Sequence, residues 1–414
     1  MSEERWAWLR SQMPVMQNYA YMNSGFSGPL TTDVVDAMKQ RLQLELDVGP
    51  TTREVMEDRQ QLVARMREVT AEMIGADADE IAIMGNTTEG LNVVVNGVDI
   101  QPGDGVITTS VEHASGAVPA YYLRERRGAE MSIVPIAADD SAGVVLENFA
   151  QALNDRTKLV ILSEISYSTG QLLPMNGIIE ASHRVGARVV VDGAQTAGHI
   201  PIDVRASGID CYAIPSHKWL LGPDGLGALY VRRDAIPDVE PSKVAGRAAA
   251  EWDSEGNFTP EKELITKYEL TTTSGALIAG TIAATEQYLE SGPQAVFDRA
   301  RELTKYAEER FGRIRSVTVK SPTTEGARTG LFCFHTEGID SAEIAFYLQS
   351  EAKVVCRGVR DFDVVRLSLH AFNNEADIDT AADAVETIVA EGIPEAIKIE
   401  VAERAARMRP GAER

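Results

Sequence analysis

Two short runs decide how this chain folds: Val189–Gln195 (VVVDGAQ) and Cys211–Pro223 (CYAIPSHKWLLGP). Each opens as an apolar strand and ends in polar residues, Asp192 and Gln195 in the first, Ser216, His217 and Lys218 in the second. Apolar runs of this length bounded by turn residues belong to strands buried on both faces, as in parallel sheets. Similar runs occur upstream at residues 81–84, 105–109, 131–135 and 158–163, and downstream at 228–231. The earlier ones are separated by stretches long enough for helical crossovers. The alternation predicts an α/β fold with a mostly parallel central sheet flanked by helices. In such sheets ligands bind beyond the carboxyl ends of the strands, where Asp192 and Lys218 would stand.

Further out, the pattern changes. Residues 3–12 read as a short helix, followed by an extended segment through Tyr21 and a turn with Gly25, Gly28 and Pro29. Helical patterns cover 32–46 and 53–74. Residues 240–270, with Pro241, Gly256 and many charges, read as a connection. Beyond it come helical patterns at 277–291, 296–315 and 376–390, with apolar alternation near 330–334 and 353–355. The expected division is an N-terminal arm (1–30) packing on the small domain, a large domain (31–260), a smaller α+β domain (261–395) and a charged, fraying tail (396–414).

Composition narrows the function. The 414 residues hold 40 Lys+Arg against 62 Asp+Glu, a formal charge of −22. Such a field repels phosphate backbones and anionic lipid, which argues against nucleic acid or a membrane as partner. The same excess also fits a salt or solubility adaptation. The three cysteines, Cys211, Cys333 and Cys356, form no C-x-x-C pair. We therefore expect no disulfide framework and no metal site, and a reducing, cytoplasmic setting. No apolar run reaches the roughly 18–20 residues of a membrane span, and the N-terminus lacks the apolar core of a signal peptide.

A lysine at the rim of a buried strand is open to desolvation, and its amine then forms Schiff bases. A carboxylate ending a neighbouring strand holds a pyridinium nitrogen protonated. Taken singly, Lys218 reads more readily as an exposed loop cation and Asp192 as a helix N-cap. Together, Asp192-Gly-Ala-Gln195 and Ser216-His217-Lys218 resemble the D-x-A-Q and S-x-H-K motifs of fold-type-I pyridoxal-phosphate enzymes, in the class V aminotransferase and cysteine desulfurase superfamily. The resemblance extends over about residues 20 to 390. It implies pyridoxal 5'-phosphate (PLP) as cofactor, with Lys218 as its covalent anchor and proton shuttle and Asp192 as partner of the pyridine nitrogen. It gives Gln195 the phenolic oxygen, and Ser216 and His217 the phosphate. Thr87 and Thr88, at the start of a helix after strand 81–84, match the family's phosphate cradle. His113, in Val111-Glu112-His113-Ala114, matches the histidine stacked on the pyridine ring, and imidazole also serves as acid or base near neutral pH.

The segment Tyr268-Glu269-Leu270-Thr271-Thr272 resembles the family's R-F-E-x-x-T, whose threonine, here Thr272, binds the neighbouring subunit's phosphate. That implies a homodimer with shared active sites. The segment Arg366-Leu-Ser368 resembles R-x-S in the small domain, where the arginine clamps a substrate carboxylate. Arg357 is a second candidate clamp, and Gly25 matches a turn lining the substrate pocket. The substrate is then an amino acid. Desulfurases of this superfamily carry a mobile cysteine between the equivalents of Arg357 and Arg366. Here that link is short and has no cysteine, as in the cysteine/cystine C–S lyases. The expected reaction is β-elimination on cysteine, cystine or a related S-substituted cysteine. A desulfurase, a class V aminotransferase, an isopenicillin-N-epimerase-like enzyme and a non-catalytic scaffold stay open at this point.

Overall fold

The computed structural model describes residues 2–407. The chain falls into two compact units. One comprises Leu30–Tyr167 and Leu173–Gln294; the other comprises the residues up to Pro29, the insertion Ser168–Leu172, and the chain from Ala295 onward. The passage between them comes at Gln294/Ala295, later than the boundary expected near 260. The helix Gly275–Ser291 stays with the larger unit because Ile278 and Ile282 pack there against Met66, Val69 and Ile83.

The larger unit is built on seven strands: β1 (Ile81–Met84), β2 (Gly105–Thr109), β3 (Glu130–Val134), β4 (Thr157–Ser163), β5 (Arg188–Asp192), β6 (Cys211–Pro215) and β7 (Gly227–Val231). Their order in the sheet is β1-β7-β6-β5-β4-β2-β3. All pairings are parallel except those of β7, which runs antiparallel to both β1 and β6. The expected α/β architecture with a mostly parallel sheet is thus the observed one. Central strands β5 to β7 are buried on both faces, which is why they read as unbroken apolar runs. The chain leaves β2 toward β3 and leaves β4 toward β5, in opposite directions, so the carboxyl ends of β2 and β4 flank a topological switch point. Residues 249–260, expected as plain connection, contain a small antiparallel hairpin, Ala249–Trp252 with Phe258–Pro260.

The smaller unit carries an antiparallel sheet of β8 (Val317–Val319), β9 (Leu331–Thr336), β10 (Arg357–Val359) and β11 (Val364–Ser368), ordered β8-β9-β11-β10. Phe332, Phe334, Val365 and Leu367 point to one face and join a core with Leu303, Phe311, Ile344, Leu348, Ile378 and Val385. The N-terminal segment belongs to this unit. Ala20–Tyr21 pairs in parallel with Val354–Val355, and Asn23 bridges to Ser368. The tail is less frayed than expected: Glu395–Arg407 is helical, and Ile397 and Val401, one turn apart, are buried in the same core. Residues 408–414 of the expected tail lie outside the described residues.

Candidate active site

Three strand ends of the larger unit converge. β5 stops at Asp192, which is buried and whose Oδ1 accepts the Ala194 N–H at 2.9 Å. Burial pushes its carboxyl up, against the opposing pull of the Lys218 and His113 charges. Lys218 and His113 are therefore both within electrostatic reach of Asp192. The turn after Asp192 lies hard against β6. A Cβ on Gly193 would stand 2.3 Å from a Tyr212 ring carbon and 2.9 Å from the Ala213 carbonyl, so only glycine fits there.

Trp219 and His199 both hold Gln195. The indole Nε1 of Trp219 donates to its Oε1 at 2.9 Å. The His199 ring nitrogen Nδ1 lies 2.8 Å from its backbone carbonyl, an acceptor, so Nδ1 donates. The His199 and Trp219 rings stack at 3.7 Å and 9°. Gly198 permits this approach, with φ at +84° and an imaginary Cβ 2.2 Å from the Leu220 nitrogen.

At the switch point, Glu112 and His113 follow β2. Glu112 is buried. Its Oε1 accepts the Thr109 hydroxyl at 2.6 Å, and its Oε2 accepts the Ser163 hydroxyl at 2.6 Å and the Ser163 N–H at 2.9 Å. Burial raises its pKa to about 7, outweighing those hydrogen bonds, and the Asp192 charge adds to the rise. His113 caps the helix Ala114–Arg127. Its Nδ1 accepts the Ser115 N–H at 3.2 Å, and its ring meets Tyr167 edge-on at 5.2 Å.

The two threonines of the expected cradle part company. Both open the helix Thr87–Gly97, capped by Asn86, but Thr87 is buried and Thr88 is exposed. The Thr87 hydroxyl oxygen is buried without a hydrogen-bond partner among the described residues. Ser216 is also buried, yet its hydroxyl faces the backbone carbonyls of Pro223 and Leu226, closing the turn that carries Lys218. His217 is half-buried, 4.0 Å from Asp224; burial and the Lys218 charge hold its pKa down. Thr272 is exposed. Its segment is anchored at its base by Glu269, which accepts from Arg67, from Arg247 and from the Ile83 N–H.

In the smaller unit, Arg357 on β10, Arg366 on β11 and Cys333 on β9 stand in register across three strands. This row lies on the face opposite the helix-covered one. Arg366 is buried, Arg357 half-buried, and the Arg357 guanidinium lies 4.5 Å from the centre of the Phe26 ring, next to Gly25. The link from Arg357 to Arg366 is a tight hairpin turning through Arg360–Phe362. Cys356 sits at the break between Val354–Val355 and β10 rather than inside a strand, with its thiol pushed up to about 12 by burial. Cys333 is raised to about 12 for the same reason, and Cys211 is raised as well.

Glu112, Trp219, His199 and Glu269 were assigned no role from sequence. Glu112 was signalled by its place directly after a buried strand, and Trp219 by its adjacency to Lys218. His199 carries no local mark; only the fold brings it to Trp219.

A family model described as aminotransferase class-V matches residues 20–380. A probable cysteine desulfurase of Mycolicibacterium paratuberculosis is 33% identical over 344 residues, covering 79% of this chain and 48% of that protein. One of Methanothermobacter thermautotrophicus is 26% identical over 400 residues, covering 93% of this chain and 98% of that protein. The chain thus spans about half the length of the first relative and nearly all of the second. Two solved structures of one protein, C-DES, superpose with a TM-score of 0.84 over 91% of this chain and 98–99% of theirs, at 28% and 27% identity. One is a lysine-to-alanine mutant with glycine covalently linked to the PLP cofactor; the other is described as a cystine C–S lyase with its product cysteine persulfide.

Proposed function

We propose, for a chain that belongs to the aminotransferase class-V family, a PLP-dependent C–S lyase that acts by β-elimination on cysteine, cystine or a related S-substituted cysteine. The residues fit the cofactor. Thr87 offers a buried hydroxyl without a protein partner at a helix N-terminus, suited to a phosphate. Asp192 offers a buried carboxylate at a strand end for the pyridine nitrogen. When bound, PLP supplies an electron sink that acidifies the bonds at the α-carbon of an amino acid.

The chain's own residues do the rest. Lys218, at the rim of β6, anchors the cofactor through its amine and moves the α-proton. Asp192 would keep the pyridine nitrogen protonated, Gln195 would reach the phenolic oxygen and His113 the ring. Thr87 would hold the phosphate, with Thr88 and His217 as further candidates. Ser216 acts through the turn it closes. Arg366 clamps the substrate carboxylate, with Arg357 and the Gly25 turn beside it on the same unit.

The observation that favours elimination over persulfide transfer is the Arg357–Arg366 hairpin. It is short, paired and free of cysteine, and each of the three thiols is raised by burial away from the reactive thiolate. Elimination releases sulfur as sulfide from cysteine, as a persulfide from cystine or as a thiol from an S-substituted cysteine, and water turns the remaining aminoacrylate into pyruvate and ammonia, whereas persulfide transfer leaves alanine. The test is the pyruvate-to-alanine ratio with cysteine and cystine, together with borohydride trapping. Pyruvate should dominate, and the trapped adduct should map to Lys218 and vanish in Lys218→Ala. Alanine as main product would return the chain to the desulfurases.

The exposed Thr272, on a segment held by Glu269, supports a homodimer in which each copy completes the other's phosphate site. Sedimentation of the loaded enzyme as a fully active monomer would refute it. Three cysteines free of disulfides suit a reducing compartment such as the cytoplasm. Among the described residues no helix is long and apolar enough to cross a membrane.

A further inference from the structure

The pinning of Gln195 carries a consequence for the cofactor's proton affinity. An indole N–H donates and never accepts. With Trp219 Nε1 2.9 Å from Oε1, the carbonyl branch of the Gln195 amide is committed to the indole, and the NH2 branch points the other way. The indole is itself immobile: Trp219 is 1% exposed, and its ring is stacked on His199, which is fully buried. His199 in turn donates to the Gln195 backbone, so the three residues form one closed cluster. Gln195 is therefore a fixed donor, unable to flip its amide and present an acceptor.

We propose that Trp219 is a positioning residue that locks Gln195 as a hydrogen-bond donor and thereby sets the proton affinity of the oxygen it faces, the phenolic oxygen of bound PLP. The inference rests on the PLP reading above. Trp219 also directly follows Lys218, on the turn that the Ser216 hydroxyl closes. A donor held on an oxygen favours its anionic form. Loss of that donor raises the oxygen's proton affinity. The proton it shares with the lysine-linked nitrogen then leaves at higher pH.

The experiment is a pH titration of the visible absorbance of the PLP-loaded protein, without substrate. Trp219→Phe keeps an aromatic ring on His199 and removes the N–H together with part of the indole's bulk. Its apparent pKa should rise by up to about one pH unit, the size expected for loss of one whole hydrogen bond. Gln195→Leu should shift in the same direction. The double variant should shift no further than Gln195→Leu alone, because the indole acts only through the amide. A Trp219→Phe titration that coincides with the parent while Gln195→Leu shifts would overturn the proposal, as would additive shifts in the double variant. Should Trp219→Phe fail to accumulate as folded protein, His199→Leu reads the same lock from its other side and should shift the titration upward. A parent protein that takes up no PLP and shows no visible band would withdraw the cofactor reading and this inference together. A normal parent band with an unmoved Trp219→Phe titration would withdraw the inference alone.

Discussion

Thr87 and Thr88 are adjacent in sequence and opposite in setting, and only the fold separates them. In a helix, successive residues are turned by about 100°, so one faces the strand ends and the other the solvent. Thr87→Val should weaken PLP binding about tenfold or more, the cost of one hydrogen bond to a charged group. Thr88→Val should change it less than about threefold; equilibrium dialysis of both variants checks the contrast. Glu112 makes a second residue-level case. The folded protein keeps its proton up to about pH 7, whereas an unfolded chain releases it near 4.5. Between those values the folded state binds the extra proton, so this group's stabilisation is fully present below 4.5 and is lost as pH rises to about 7. The size is on the order of 3 kcal/mol. Glu112→Gln should flatten the pH dependence of the urea midpoint over that range; an unchanged slope would place Glu112's proton elsewhere. The residues that touch the cofactor in this reading were legible because they sit on local motifs. Of those that hold them, Trp219 was marked only by its adjacency to Lys218 and His199 by nothing, because their contact spans separate segments.

Elements were read well where burial is two-sided. The runs 189–195 and 211–223 do open on strands, ending at Asp192 and at Pro215, since a strand buried on both faces keeps a short unbroken apolar run. The helix Glu395–Arg407 was missed because only Ile397 and Val401 are buried, in an otherwise charged segment whose apolar stripe is too narrow to register. The hairpin from β10 to β11 was visible only as a short link; its pairing explains why no mobile loop exists there. Cys356→Ser should leave turnover within about twofold, since a thiol held near 12 supplies almost no thiolate at neutral pH. Loss of activity in that variant would contradict the elimination reading. The N-terminal helix Ser2–Ser11 is tied down by Arg10, which pairs with the buried Asp377 through two bonds of 2.7 and 2.9 Å. Arg10→Ala strands that carboxylate with fewer donors and should cost about 2 kcal/mol in urea unfolding.

Across the whole molecule, a net charge of −22 repels itself in the folded state more than in an expanded one. Added salt screens that repulsion, so the melting temperature should rise between low and moderate ionic strength. A flat or falling response in calorimetry would show that the ion pairs, such as Arg310 with Asp383 and Glu386, outweigh the surplus acid. The interleaved course of the chain has a different consequence, in the order of events on the ribosome. Ala20–Tyr21 finds its β partner only at Val354–Val355, and Asn23 only at Ser368. The larger unit ends at Gln294, so all its residues are made before that partner strand. This early segment is among the last to be placed. At about 5–20 residues per second it waits from roughly twenty seconds to a minute for its partner strand. During that interval its Met22 and Leu9, buried in the folded state, are open to chaperones and proteases, which makes this segment, rather than the core sheet, a vulnerable part of a newborn chain.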